Sequence, residues 1–240
     1  MKKLQLPIII LIAAFSIGSL ASCRFHCIRG SGHQITENRK PGDFTRIDVS
    51  ESFKVLVKQD SSNTITVTAD DNLLKYIRTN VTGGTLRIYT KKNMCNSGEI
   101  VVKVPVRLLE GLKASDAAEI VSDGKLNGKD VSIHVSDGSR ITVDLTAAKV
   151  KIHSSDASEV HLNGQTSSSE VELSDGSKIY AKDFVTGTSW IRASDGSYGE
   201  VNVMNTLNVH GSDGAVIKYH GNPQTVNTNN SDGASVEKVN

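Results

Sequence analysis

Ile133-His134-Val135-Ser136-Asp137-Gly138-Ser139-Arg140-Ile141 returns as Ile152-His153-Ser154-Ser155-Asp156-Ala157-Ser158-Glu159-Val160, and again as Val171-Glu172-Leu173-Ser174-Asp175-Gly176-Ser177-Lys178-Ile179. The frame extends outward to Ser115-Asp116-Ala117 on one side, and to Ser194-Asp195-Gly196, Ser212-Asp213-Gly214 and Ser231-Asp232-Gly233 on the other. Successive serines are 21, 19, 19, 20, 18 and 19 residues apart. A near-constant period of this size marks a solenoid with one coil per repeat. Ser122-Asp123-Gly124 falls out of phase and reads as a turn inside the first coil.

Two apolar columns support the register. Three places before each serine stand Leu112, Ile133, Ile152, Val171, Ile191, Val209 and Thr228; five places after stand Ile120, Ile141, Val160, Ile179, Gly199, Ile217 and Val236. β-Branched residues at these offsets suit strands that stack inward, and the polar members of the last coil suit a cap. Four places after the serine, Glu119, Arg140, Glu159 and Lys178 alternate in sign, and two places further Glu200, Lys218 and Glu237 do the same. Parallel coils in register would set opposite charges side by side.

Upstream, the pattern is irregular. Phe44 to Val49, Phe53 to Val57, Thr64 to Thr68 and Thr85 to Thr90 alternate as strands do, the last opened by the turn signal Gly83-Gly84. Asp70-Asp71-Asn72-Leu73-Leu74-Lys75-Tyr76-Ile77 reads as a short helix, with acidic residues to cap it and Leu73, Leu74 and Ile77 on one face. The expected fold is therefore all-β: an irregular N-terminal β region over residues 23–109, then a single-stranded right-handed parallel β-helix over residues 110–240, with about 19 residues per coil.

Residues 1–22 read as an export signal. Lys2 and Lys3 precede an apolar run from Leu6 to Ala21, which ends in Leu20-Ala21-Ser22-Cys23. This has the order of a bacterial lipobox, which makes Cys23 the expected lipidation site and the expected tether to a membrane. Cys27 and Cys95 remain as an even pair, able to form one disulfide in an oxidising compartment. The formal net charge of +1 offers nothing for nucleic acid. The expected location is the cell envelope, at the outer membrane, on either the periplasmic or the surface face.

The Ser-Asp-Gly column reads first as a turn, in which Asp accepts from backbone N–H groups two residues on and Gly supplies a positive φ. A second reading makes Asp137, Asp156, Asp175, Asp195 and Asp213 a cation-binding column for calcium. A third gives carboxylates such as Asp175 and Asp195 to polysaccharide cleavage, but the even spacing leaves no insertions to build a cleft. No nucleophile elbow, zinc motif or phosphate loop is present in the sequence. His134 and His153 share a column that continues as Glu172, Arg192 and His210, an ordinary outer surface. Trp190, Tyr198 and Tyr180 form a candidate aromatic patch for sugars, with Trp190 otherwise expected to pack at a coil corner.

Arg29-Gly30-Ser31-Gly32, Glu37-Asn38-Arg39, Phe44-Thr45-Arg46-Ile47, Phe53-Lys54-Val55 and Ala69-Asp70-Asp71-Asn72-Leu73-Leu74 together resemble the auto-transporter adhesin family, also called the head GIN domain family. The resemblance covers about Ile28 to Asn240. It implies a β-helical fold and brings no catalytic residues or cofactor. The family's turns repeat Ser-Gly-Ser-Gly, and Asp stands here in place of a glycine. The expected function is a non-enzymatic lipoprotein presenting a β-helix for binding, adhesion or scaffolding, with a glycan or protein ligand or a second copy as partner. Its rivals are a structural envelope protein without external ligand and a carbohydrate-active β-helix enzyme.

Overall fold

The computed structural model describes residues 27–95 and 97–239, so the expected lipidation site at Cys23 lies outside the described residues. The irregular part contains β1 (Ile28–Arg29), β2 (Gln34–Arg39), β3 (Arg46–Val49), β4 (Lys54–Gln59), β5 (Ile65–Asp70), β6 (Ile77–Thr82), β7 (Thr85–Thr90), β8 (Met94–Cys95) and β9 (Val101–Val106). The repeats supply β10 (Gly111–Ala114), β11 (Glu119–Asn127), β12 (Asp130–Val135), β13 (Arg140–Ser154), β14 (Glu159–Leu173), β15 (Lys178–Ala193), β16 (Tyr198–Gly211), β17 (Val216–His220), β18 (Thr225–Asn230) and β19 (Ser235–Lys238). The architecture is an all-β solenoid of about 7 turns with about 19 residues per coil.

From β10 onward every pairing is parallel, and the register matches the repeat. Leu112 lies beside Ile133, Ile133 beside Ile152, Ile152 beside Val171, Val171 beside Ile191, and Ile191 beside Val209. These side chains are buried, as are Ile120, Ile141, Val160, Ile179 and Ile217 of the second column. Each such burial contributes about 1.5–3 kcal/mol against an exposed reference. Gly199 breaks the second column; a Cβ there would stand 2.6 Å from Cδ1 of Ile217, and that side chain would have to shift.

The triplets are stacked two-residue turns. Asp137 and Gly138 have φ of 55° and 67°, Asp175 and Gly176 of 52° and 68°, and Asp195 and Gly196 of 53° and 66°. Two successive left-handed residues, closed by Ser139 N–H donating to the Ser136 carbonyl at 3.1 Å, define a type I′ turn. Asp is among the few residues with a side chain that tolerate this region. The ladder also continues through the turns: the Gly138 N–H donates to the Asp156 carbonyl, and the Gly176 N–H to the Asp195 carbonyl, both at 2.9 Å. The edge of the coil is therefore hydrogen-bonded like its faces.

Parallel stacking also crosses residue 110. β3 lies between β7 and β10, and β4 between β9 and β11, all parallel. Val49 pairs with Ala114 and Lys54 with Glu119, which aligns Ser50-Glu51-Ser52-Phe53 with the turn Ser115-Asp116-Ala117-Ala118. Glu51, at φ 69°, continues the aspartate column under another name. The chain leaves this coil through β5, which pairs antiparallel with β2 and β9, and through the β6–β7 hairpin, and then returns to stack on it.

The expected helix is a single 3-10 turn at Leu74–Tyr76 without a side-chain cap. Its apolar face forms as read, with Leu73, Leu74 and Ile77 buried. The capping acids are engaged elsewhere, which is why no longer helix starts. Asp71 Oδ1 accepts from the Ser31 hydroxyl at 2.6 Å, Asp70 Oδ2 accepts from the Gly32 N–H, and the Asn72 amide donates to the Arg29 carbonyl. Arg39 closes the other side by donating to the carbonyls of Leu74 and Ile77. Cys27 and Cys95 are joined as a disulfide across 68 residues of chain, beside the short β1–β8 pairing. A cross-link of that span restricts the unfolded chain by about 4 kcal/mol in the chain-entropy account.

Candidate binding face

Each long strand bends once, giving a coil two runs of alternating inward residues. In β13 the first holds Ile141, Val143 and Leu145, and the second Val150, Ile152 and Ser154, all buried. The outer surfaces of the two runs and the turn edge are the places where a ligand could be met.

On the turn edge the side chains are occupied with their own turns. The Ser136, Ser155 and Ser194 hydroxyls donate to Oδ2 of Asp137, Asp156 and Asp195, each at 2.6 Å. The carboxylates thus accept from the preceding serine rather than from the backbone N–H two residues on, because the left-handed Asp backbone turns its side chain back toward that hydroxyl. Among the described residues no group of three His, Cys, Asp or Glu side chains could hold a metal ion. Ser122-Asp123-Gly124, expected as a turn inside the first coil, is an irregularity within β11 that shifts the register between Val121 and Lys125. It remains strand because Ser122 Oγ accepts from the Asp144 N–H of the next coil.

The outer surface of the first run carries the charge ladder. Glu119, Arg140, Glu159 and Lys178 are in register, and Lys54 joins them 3.5 Å from Glu119. Arg140 stands 2.7 Å from Glu159. Burial raises the Glu159 carboxyl, but hydrogen bonds from His161 and Arg140 overcome it and leave the group below its ordinary value. In the second ladder Glu200 and Lys218 are neighbours, yet Glu200 accepts from His220 at 2.8 Å. An aromatic row follows: the His161 ring is stacked on Tyr180 at 4.7 Å, and Tyr180 meets Tyr198 at 5.8 Å. Exposed pairs of this kind contribute little individually.

The second run is different. Its outward residues line three depressions that share members: one from His134 to Glu172, one from His153 to His210, and one of about 540 Å³ from Lys149 to Asn229. Joined through Glu170, Glu172, Arg192 and His210, they form one trough that crosses β12 to β16 and β18 along the stacking direction. Trp190 lies in it between Glu170 and Asn208, with 50% of its surface exposed. It is thus neither at a corner nor beside Tyr180 and Tyr198, which belong to the first run. Strand alternation carried this signal: Ile191 points inward, so its neighbour Trp190 points out.

Around the ring, Lys151 and Lys149 lie 3.2 and 3.7 Å from Glu170, and Arg192 lies 3.2 Å from Glu172. The hydrogen bond from Lys151, reinforced by the charges of Lys149 and Arg192, holds the Glu170 carboxyl below its ordinary value. A glycosidase acid needs the opposite shift. His134 and His153 are neighbours with ring centroids 6.0 Å apart. Burial, then the charges of His153, Lys113 and Lys151, push the His134 imidazole down. Toward the last coil the trough becomes amide-rich, where Asn227 Nδ2 donates to Asn208 Oδ1 at 2.9 Å. The trough thus sets one indole, paired charges and amides on a single outer surface.

Residues 43–223 match the family model described as "Putative auto-transporter adhesin, head GIN domain". A search of curated proteins finds no match. Among solved structures, a "putative adhesin" from Bacteroides fragilis superposes with a TM-score of 0.84 at 16% identity, over 88% of this chain and 100% of that one. A "putative adhesin" from Parabacteroides merdae gives 0.73 at 18%, over 89% and 99%. A "Putative lipid binding protein" from Parabacteroides distasonis gives 0.72 at 19%, again over 89% and 99%. At these identities the likeness is one of fold.

Proposed function

The chain belongs to the auto-transporter adhesin, head GIN domain family, and from that premise we propose that it is an exported lipoprotein, tethered to the envelope through Cys23, that works as a non-enzymatic adhesion module. The single observation carrying the binding role is the trough around Trp190. A half-exposed indole, flanked by ion-paired and amide side chains on a rigid parallel sheet, is a surface suited to contact and not to catalysis. Tryptophan is enriched at interfaces because its ring is apolar while its N–H is polar. The cysteine tether is supported by the order of apolar run, small residues and Cys23 in the sequence.

Two measurements test the two halves. Cells exporting the Cys23→Ser chain should release it from the membrane fraction, where the wild-type chain stays; retention of the variant would remove the tether. Beads carrying the mature chain should attach to envelope or host-matrix surfaces, and beads carrying Trp190→Ala should not. Equal attachment by both would remove the trough as the binding face.

A further inference from the structure

Building on that binding face, we infer that the trough takes a linear acidic oligosaccharide, laid along the solenoid axis so that successive sugars meet successive coils. Shape is the first argument. The depressions run through six adjacent strands, and neighbouring strands lie about 4.8 Å apart, close to the length of one pyranose unit. An elongated, shallow trough with a repeat of that size fits an extended polymer better than a compact metabolite.

Chemistry is the second. The flat Trp190 ring offers the C–H face of a sugar an apolar platform. Asn208 and, on the next coil, Asn227 and Asn229 present amide donors and acceptors suited to hydroxyl groups. Along the trough Lys149, Lys151 and Arg192 pair with Glu170 and Glu172, three cations to two anions, which leaves one net positive charge with the histidines neutral. Arg192, with 70% of its side chain exposed, can present its fork to a carboxylate or sulfate.

The same residues disfavour other occupants. An added peptide strand needs an open sheet edge, and the strands under Trp190 are paired on both sides. A lipid chain needs a continuous apolar surface, yet among the described residues Trp190 is the one exposed large hydrophobic side chain that lines the trough.

Trp190 is the one tryptophan of the chain, so its emission reports directly from the site. The experiment titrates the mature protein with hexamers of galacturonate, hyaluronan and heparin, with cellohexaose, and with phosphatidylglycerol vesicles. At least one acidic hexamer should change the emission saturably, and Arg192→Gln, with an unchanged melting curve, should weaken it about tenfold, the worth of one charge-assisted hydrogen bond. Cellohexaose binding as well as every acidic hexamer would overturn the acidic assignment. Vesicles alone changing the emission would replace it with a lipid. Silence from all probes, with bead attachment still lost in Trp190→Ala, would refute the glycan and keep the face. Silence with attachment intact would refute both.

Discussion

The turn edge and the trough lie on the same coils, yet they are built on opposite rules. Along the edge one solution is repeated: Ser, then Asp at φ near 50° to 58°, then Gly or Ala. Along the trough the column beside it varies, running Lys113, His134, His153, Glu172, Arg192, His210 and Asn229. A left-handed pair of residues admits few side chains, so the backbone dictates the edge. An outward position on a hydrogen-bonded strand admits almost any side chain, so what stands there is free to serve a ligand. Repetition here marks mechanical need, and variety marks the surface available for recognition.

The largest expected effect would break the edge. Gly176→Val places a β-branched side chain at φ 68° and should cost about 2 kcal/mol or more, read as a lower melting temperature. Gly176→Ala should cost about 1 kcal/mol, since Ala117 and Ala157 already occupy that place at φ 63° and 56°. Equal tolerance of Val and Ala would show that the turns are not held as described. Trp190→Ala should do the reverse, shifting stability by under about 1 kcal/mol while removing attachment.

Smaller effects sharpen the contrast. Asp156→Asn keeps a side chain that tolerates the left-handed region and should change stability by about 0.5 kcal/mol or less. Chelator should leave the melting temperature of both proteins unmoved; a fall in the wild type alone would return the aspartates to a cation. The smallest effect concerns Glu51, whose carboxyl is raised by burial and then by the charge of Asp116. A carboxyl harder to ionise in the folded chain costs stability once pH exceeds its unfolded value, and costs nothing well below it. Glu51→Gln should therefore raise the melting temperature slightly at neutral pH, and the gain should vanish below about pH 4, near the unfolded carboxylate value.

Much of the repeat was legible because its demands leave marks in the sequence. The left-handed turns select Asp and Gly, and the interior selects Ile, Val and Leu at fixed offsets, so period, register and charge neighbours could all be read. The coil at residues 46–59 left no such mark. Its turn is Ser50-Glu51-Ser52, and its stacking partners at residues 85–106 and 111–127 follow it in the chain while flanking it in space. The Asp70 to Ile77 segment misled because capping acids look alike whether they bond to their own helix or to a distant Arg29–Gly32 segment. The trough was half legible. Its His and Glu column could be listed from the repeat, while Trp190, read as a corner residue or a partner of Tyr180 and Tyr198, was misplaced although its inward neighbour Ile191 carried the signal. The concavity itself depends on how neighbouring coils sit together, and no single repeat records that.

The most direct measurement sets the two regions against each other in one attachment assay. Beads carrying wild-type chain, Trp190→Ala with Arg192→Gln, or Asp137→Asn with Asp156→Asn and Asp175→Asn are compared on the same surface, with folding checked by melting curves. Loss of attachment in the trough variant and retention in the turn variant is the predicted result. Retention in the trough variant and loss in the turn variant would move recognition to the aspartate edge and contradict the account.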